Sequence, residues 1–176
     1  MKEDDLNYAK QIFLKYTGSY FHMIRDERYR EYKKYKVSKE TENKWIKEYQ
    51  LEMIRKFIST SNNTKLRYIF YNLCDTLKNY NNIDSLKKLI KLIKIIRIKI
   101  EKKEIDSFNQ LIISEQLLKI VEQYYEDDME NEVIIETKEF AIKNLCKLIS
   151  SPLKYTEEID EEDIILRAKE CIKKWK

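Results

Sequence analysis

A chain of 176 residues with one glycine, one proline and 38% charged residues has too few turn formers for a sheet protein. It also has too little glycine for phosphate-cradling or nucleophile-elbow loops. Its 43% hydrophobic content suffices for a core, and no apolar run reaches the roughly 20 residues of a membrane span.

The first helix is expected from about Glu3 to Thr17, burying Tyr8, Ile12, Phe13 and Tyr16, with Gly18 at its end. A second is expected from about Ser19 to Lys36, carrying Phe21, Ile24, Tyr29, Tyr32 and Tyr35. Ser38 reads as the N-cap of a third, with Glu40 and Glu42 in its first turn. The buried stripe of that helix is Trp45, Ile46, Tyr49, Met53, Phe57 and Ile58. The polar run Ser59 to Thr64 is the best internal boundary, subdividing one domain (1–176) into 1–60 and 64–176.

A fourth helix follows from about Lys65 to Asn79, and Asn79 to Asn82 supplies a turn. Asp84 or Ser85 caps a fifth, whose wide arc of Leu86, Leu89, Leu92, Ile93, Ile96 and Ile98 makes it the expected central helix. Asp106 caps a sixth ending near Asp127, and a seventh runs from about Asn131 to Ser150, where Pro152 stops it. The last starts at Thr156 or Asp160, with Glu161, Glu162 and Asp163 complementing its dipole. The sequence therefore predicts about eight helices and an all-α fold.

Leu117, Leu118 and Val121, the acidic turn Asp127-Asp128, then Val133, Ala141, Leu145 and Leu148 resemble the paired-helix unit of HEAT-like repeats. That resemblance implies a short α-solenoid serving as a protein-binding scaffold; an irregular helical bundle is the alternative. Thr64-Lys65-Leu66-Arg67, followed by Ile96-Arg97-Ile98 on a later helix, resembles the small helical subunit of type III CRISPR effector complexes, which implies contact with RNA.

Catalytic chemistry has little to stand on. His22 is the one histidine, so a multi-histidine metal site is excluded, and on a helix rich in Tyr and Phe it reads as a packing residue. Cys74, Cys146 and Cys171 each sit among apolar neighbours and are expected to be buried, reduced and structural. The acidic clusters lack the central glycine and ligand spacing of a calcium loop, and they read as helix-dipole partners. No enzyme activity, metal or cofactor is expected. The charged stretch Met1 to Asp5 is unlike a signal peptide, which makes the cytoplasm the expected location.

Charge is the remaining signal. Residues 1–104 hold 25 Lys and Arg against 14 Asp and Glu, a net +11, whereas residues 105–176 hold 10 against 17, a net −7. Cations interleave with tyrosines in the run 28–36, making Arg25, Arg28, Arg30, Tyr32, Lys33, Lys34 and Lys36, with Lys65 and Arg67, a candidate surface for a partner or a nucleic acid. The competing reading puts Tyr29, Tyr32 and Tyr35 inward and the charges in solvent. Asp127, Asp128 and Glu130 form a candidate acidic contact surface. The function expected is a protein-interaction domain, an adaptor, inhibitor or immunity-type protein with a charge-polarised surface; the alternative is a helical RNA- or DNA-binding subunit of a nucleoprotein complex. Oligomeric state stays open.

Overall fold

Short polar side chains open the helices. Ser38 Oγ accepts from the Thr41 amide at 3.3 Å, Asn62 Oδ1 from Lys65 at 2.8 Å, Asp106 Oδ1 from Asn109 at 2.7 Å and Asn131 Oδ1 from Val133 at 3.0 Å. Each satisfies an N–H group for which the first turn has no carbonyl.

A computed structural model describes residues 3–79, 83–125, 131–151, 153 and 160–175. Among them are nine helices and no strand: α1 (Glu3–Lys15), α2 (Tyr20–Arg25), α3 (Tyr29–Lys33), α4 (Lys39–Ser59), α5 (Asn63–Asn79), α6 (Ile83–Glu101), α7 (Ser107–Tyr125), α8 (Glu132–Ser150) and α9 (Glu161–Trp175). The protein is all-α, and none of the described helices is long and apolar enough to cross a membrane. Residues 80–82 of the turn expected at Asn79 to Asn82, Pro152 and Thr156 lie outside the described residues. Asp84 and Ser85 fall inside the first turn of α6, which already runs from Ile83.

The ninth helix arises because the segment Ser19 to Lys36 is two helices rather than one. Glu27 takes φ 58°, its amide donates to Ile24 O at 3.1 Å, and the Arg28 amide donates back to Met23 O at 2.8 Å. This left-handed cap closes α2. The same pattern ends α1, with Thr17 at φ 51° and the Gly18 amide on Phe13 O. It also ends α6, with Lys103 at φ 58° and the Glu104 amide on Lys99 O. A chain with one glycine fills these left-handed positions with side chains, each at a cost of about 1 kcal/mol.

Two apolar clusters form. The first joins Ala9, Ile12, Phe13, Tyr16, Met23, Tyr32, Trp45 and Ile46. The second begins at Met53, Ile54 and Phe57 and gathers α5 to α9. Helix α4 contributes to both, and the buried Gln50 lies between them, its Oε1 accepting from Lys88 Nζ at 2.6 Å while its Nε2 has no hydrogen-bond partner among the described residues. The polar run 59–64 holds the short link between α4 and α5.

The central helix is α7, not α6. It packs on α5, α8 and α9, and Leu111, Ile113, Leu117, Leu118, Ile120 and Val121 are all buried. Its polar residues are buried with them: Ser114 Oγ donates to Gln110 O at 2.8 Å and receives Asn144 Nδ2 at 2.8 Å. Satisfied internally, such short polar groups cost little to bury, so a polar residue count understates how central the helix is. On α6, by contrast, Ile98 is 51% exposed. Tyr8 and Ile58, expected to be buried, are exposed, as are Phe21 and Ile24.

Candidate partner-binding surface

The segment from Thr17 to Glu42 is held to the body by polar anchors that the hydrophobic pattern does not reveal. Glu42 on α4 is 2% exposed. Its carboxylate accepts from Tyr20 Oη at 2.5 Å, from Tyr32 Oη at 2.6 Å and from Lys39 Nζ at 3.1 Å. One residue of α4 thereby fixes both α2 and α3. Charged acceptors make the stronger hydrogen bonds, and a buried carboxylate needs several. Tyr32 also stacks on Phe13 at 5.5 Å and 20°. On the other side, Arg28 binds Glu31 at 3.1 Å and Tyr8 Oη at 3.2 Å, and Tyr8 donates to Glu31 at 2.9 Å, which fastens α3 to α1.

What this frame leaves outward falls into two parts. A groove of about 760 Å³ has walls from Tyr20, Tyr29 and Val37 and a floor from Tyr32 and Glu42. Arg30, Lys33, Lys34 and Lys36 form its rim. All four rim cations are exposed, and none has a carboxylate within ion-pairing distance among the described residues. Lys33 lies over the Tyr29 ring at 5.4 Å, and Lys36 sits at φ 45°, where the chain turns back toward Ser38. The second part is apolar. Phe21 is 72% and Ile24 58% exposed; three residues apart on α2, they lie side by side, with Phe21 edge-on to His22 at 5.7 Å.

The structure therefore brings Arg30, Tyr32, Lys33, Lys34 and Lys36 to one groove. Arg25 is paired with Asp26 at 2.8 Å, and its hydrogen bond holds that carboxyl below the usual carboxylate range. Arg28 is a fastening between helices. Lys65 and Arg67 stand on α5, in the other cluster, where the Arg67 guanidinium lies 4.9 Å over the Phe108 ring. Asp127, Asp128 and Glu130 lie outside the described residues. The exposed cations Lys87, Lys91, Lys94 and Arg97 of α6 belong to the second cluster and do not extend the groove. The α2 pair and Glu42 escaped sequence reasoning, Phe21 and Ile24 because their spacing suits a core face as well as an exposed one.

The cysteines differ from expectation in two of three cases. Cys74 is buried, whereas Cys146 is exposed and Cys171 half-buried. Cys146 sits on the outer face of α8, in a depression lined by Ile149, Lys169, Ile172 and Lys173. Among the described residues no group of three or more metal-ligating side chains is close enough to hold an ion.

Comparison of the chain with protein-family models, with curated proteins and with solved structures finds no match in any of the three.

Proposed function

We propose that the chain is a non-enzymatic protein-interaction domain, an adaptor, inhibitor or immunity-type protein of the cytoplasm, and that α2–α3 is its contact surface. The observation that carries this reading is the exposed pair Phe21 and Ile24 on α2, together with four exposed rim cations that have no ion pair among the described residues. Protein interfaces combine apolar or aromatic anchors with charges that steer the approach, and this surface has both. Free thiols at all three cysteines suit a reducing compartment. A photoreactive amino acid at position 21, used in the native cell, should give a protein adduct absent when the same group replaces Tyr68, a residue of α5 with similar exposure, 70%. The adduct should weaken when Lys33 and Lys34 are changed to Glu. Identical adducts from both positions would defeat the reading.

Arg30, Lys33, Lys34 and Lys36, which have no ion pair among the described residues and line one groove with Tyr20 and Tyr29, favour a second reading, a single-strand nucleic acid. Against it, Tyr32 is 4% exposed, its hydroxyl is engaged by Glu42, and a carboxylate on the groove floor repels phosphate. Under that reading affinity for a single strand falls steeply with salt, and Lys33→Ala with Lys34→Ala lessens the slope by about one unit per lost phosphate contact. Absence of binding at low salt removes it.

A further inference from the structure

The α2–α3 surface has a complement on the chain itself. Helix α9 opens with Glu161, Glu162 and Asp163, all exposed and none ion-paired among the described residues. Leu166, 54% exposed, follows Glu162 by four residues and Asp163 by three, so acid and leucine share one face. The opposite face, Ile164, Ala168 and Ile172, is buried. Acid and an exposed leucine on α9 thus complement the basic groove rim and the exposed Phe21 and Ile24 of α2, the helix whose Tyr20 lines that groove. The two surfaces belong to different clusters of one chain, α9 packing on α7 and α8 and α2–α3 on the cluster of Phe13 and Trp45.

We propose that the α2–α3 surface of one copy receives the first two turns of α9 from a second copy. The proposal rests on the reading of α2–α3 as the contact surface and names its occupant. The carboxylates of Glu162 and Asp163 face Lys33 and Lys34, and Leu166 meets Ile24 and Phe21. Net +11 on residues 1–104 and −7 on the rest orients approaching copies the same way. The contact joins two different surfaces, so it is heterologous: each added copy leaves one free surface of each kind, and assembly grows with concentration unless the rotation closes a ring.

Sedimentation velocity on the purified chain tests this. Self-association should be concentration-dependent and weaken roughly tenfold between low and moderate salt, as exposed charges are screened. Lys33→Gln with Lys34→Gln, and separately Glu162→Gln with Asp163→Asn, should each abolish assembly without changing helix content, because all four side chains are exposed. Mixed one to one, the two variants should form a dimer that stops there, since the intact groove of one can receive the intact α9 of the other. A wild-type chain that stays monomeric at low salt up to about 1 mM, beyond the range of useful weak affinity, would overturn the proposal, as would a mixture that fails to associate. A monomer that still gives a position-21 adduct with a different protein removes only the second copy as occupant; loss of that adduct as well removes the contact surface itself.

Discussion

Tyr32 and Glu42 are joined by a 2.6 Å hydrogen bond in which the phenol donates to a carboxylate that is almost wholly out of water. Removing the hydroxyl leaves Glu42 with Tyr20 and Lys39 but takes away a charge-assisted bond. Tyr32→Phe should therefore destabilise by about 1.5–3 kcal/mol, read as a lower urea midpoint with the folded helix content unchanged. An unchanged midpoint would mean that water replaces the phenol at no cost.

Lys103 is exposed and left-handed at the end of α6. Lys103→Gly relieves the clash of Cβ with the backbone and should stabilise by up to about 1 kcal/mol, whereas Lys103→Ala, which keeps Cβ, should not. Comparing the two by thermal unfolding separates backbone relief from loss of the lysine side chain.

Lys99 is 5% exposed and bonds Glu104 at 2.8 Å and Thr60 O at 3.0 Å. Its hydrogen bond holds the Glu104 carboxyl below its ordinary value. A carboxyl whose pKa is lower folded than unfolded contributes stability above the unfolded pKa and loses it as pH falls through the folded one. The difference in melting temperature between the wild type and Glu104→Gln should be present at neutral pH and fade between about pH 5 and pH 3. A difference that persists in acid would indicate a packing effect.

Thiol reactivity should follow exposure in three steps. Cys146 should alkylate fastest. Cys171, whose thiol burial raises first and Glu115 second, should follow slowly. Cys74, fully buried and pushed far above the ordinary thiol range by burial, should react only on unfolding. Timed labelling with mass spectrometry reads all three, and early labelling of Cys74 would mean that α5 opens readily.

The all-α class was legible because helical spacing and cap chemistry are local: Ser38 and Asp106 cap the helices they were expected to cap, and Asn131 caps the one expected to start there. The break at Glu27 was not, because a glutamate gives no signal for a left-handed residue and the three-residue spacing of Tyr29, Tyr32 and Tyr35 continues the helical rhythm across it. Glu42 reads locally as a first-turn charge that suits the helix dipole. Its role as a buried acceptor depends on Tyr20 and Tyr32, 22 and 10 residues away, and on a fold that brings them together. The same non-local dependence governs exposure: Phe21 and Ile24 match the period of a core face, and only the placement of α2 turns them outward. The basic run was legible as charge. Its separation into paired residues, Arg25 and Arg28, and residues with no ion pair among the described residues, Arg30, Lys33, Lys34 and Lys36, depends on where Asp26, Glu31 and Tyr8 fall.

Helix α4 is seated at one end among Trp45 and Ile46 and at the other among Met53, Ile54 and Phe57, with Gln50 between them holding a buried amide nitrogen that meets no acceptor among the described residues. A rod clamped at both ends with an unsatisfied joint in the middle gives the chain a natural seam. Amide protons of the last three turns of α4 should exchange only with global opening. Those of α1 to α3 should exchange earlier, through an undocking that leaves the other helices in place. The surface bearing Phe21 and the rim cations would then sit on the less protected side of the seam, and a partner that grips it would slow exchange there first, tightening the loose half of the molecule against the firm one.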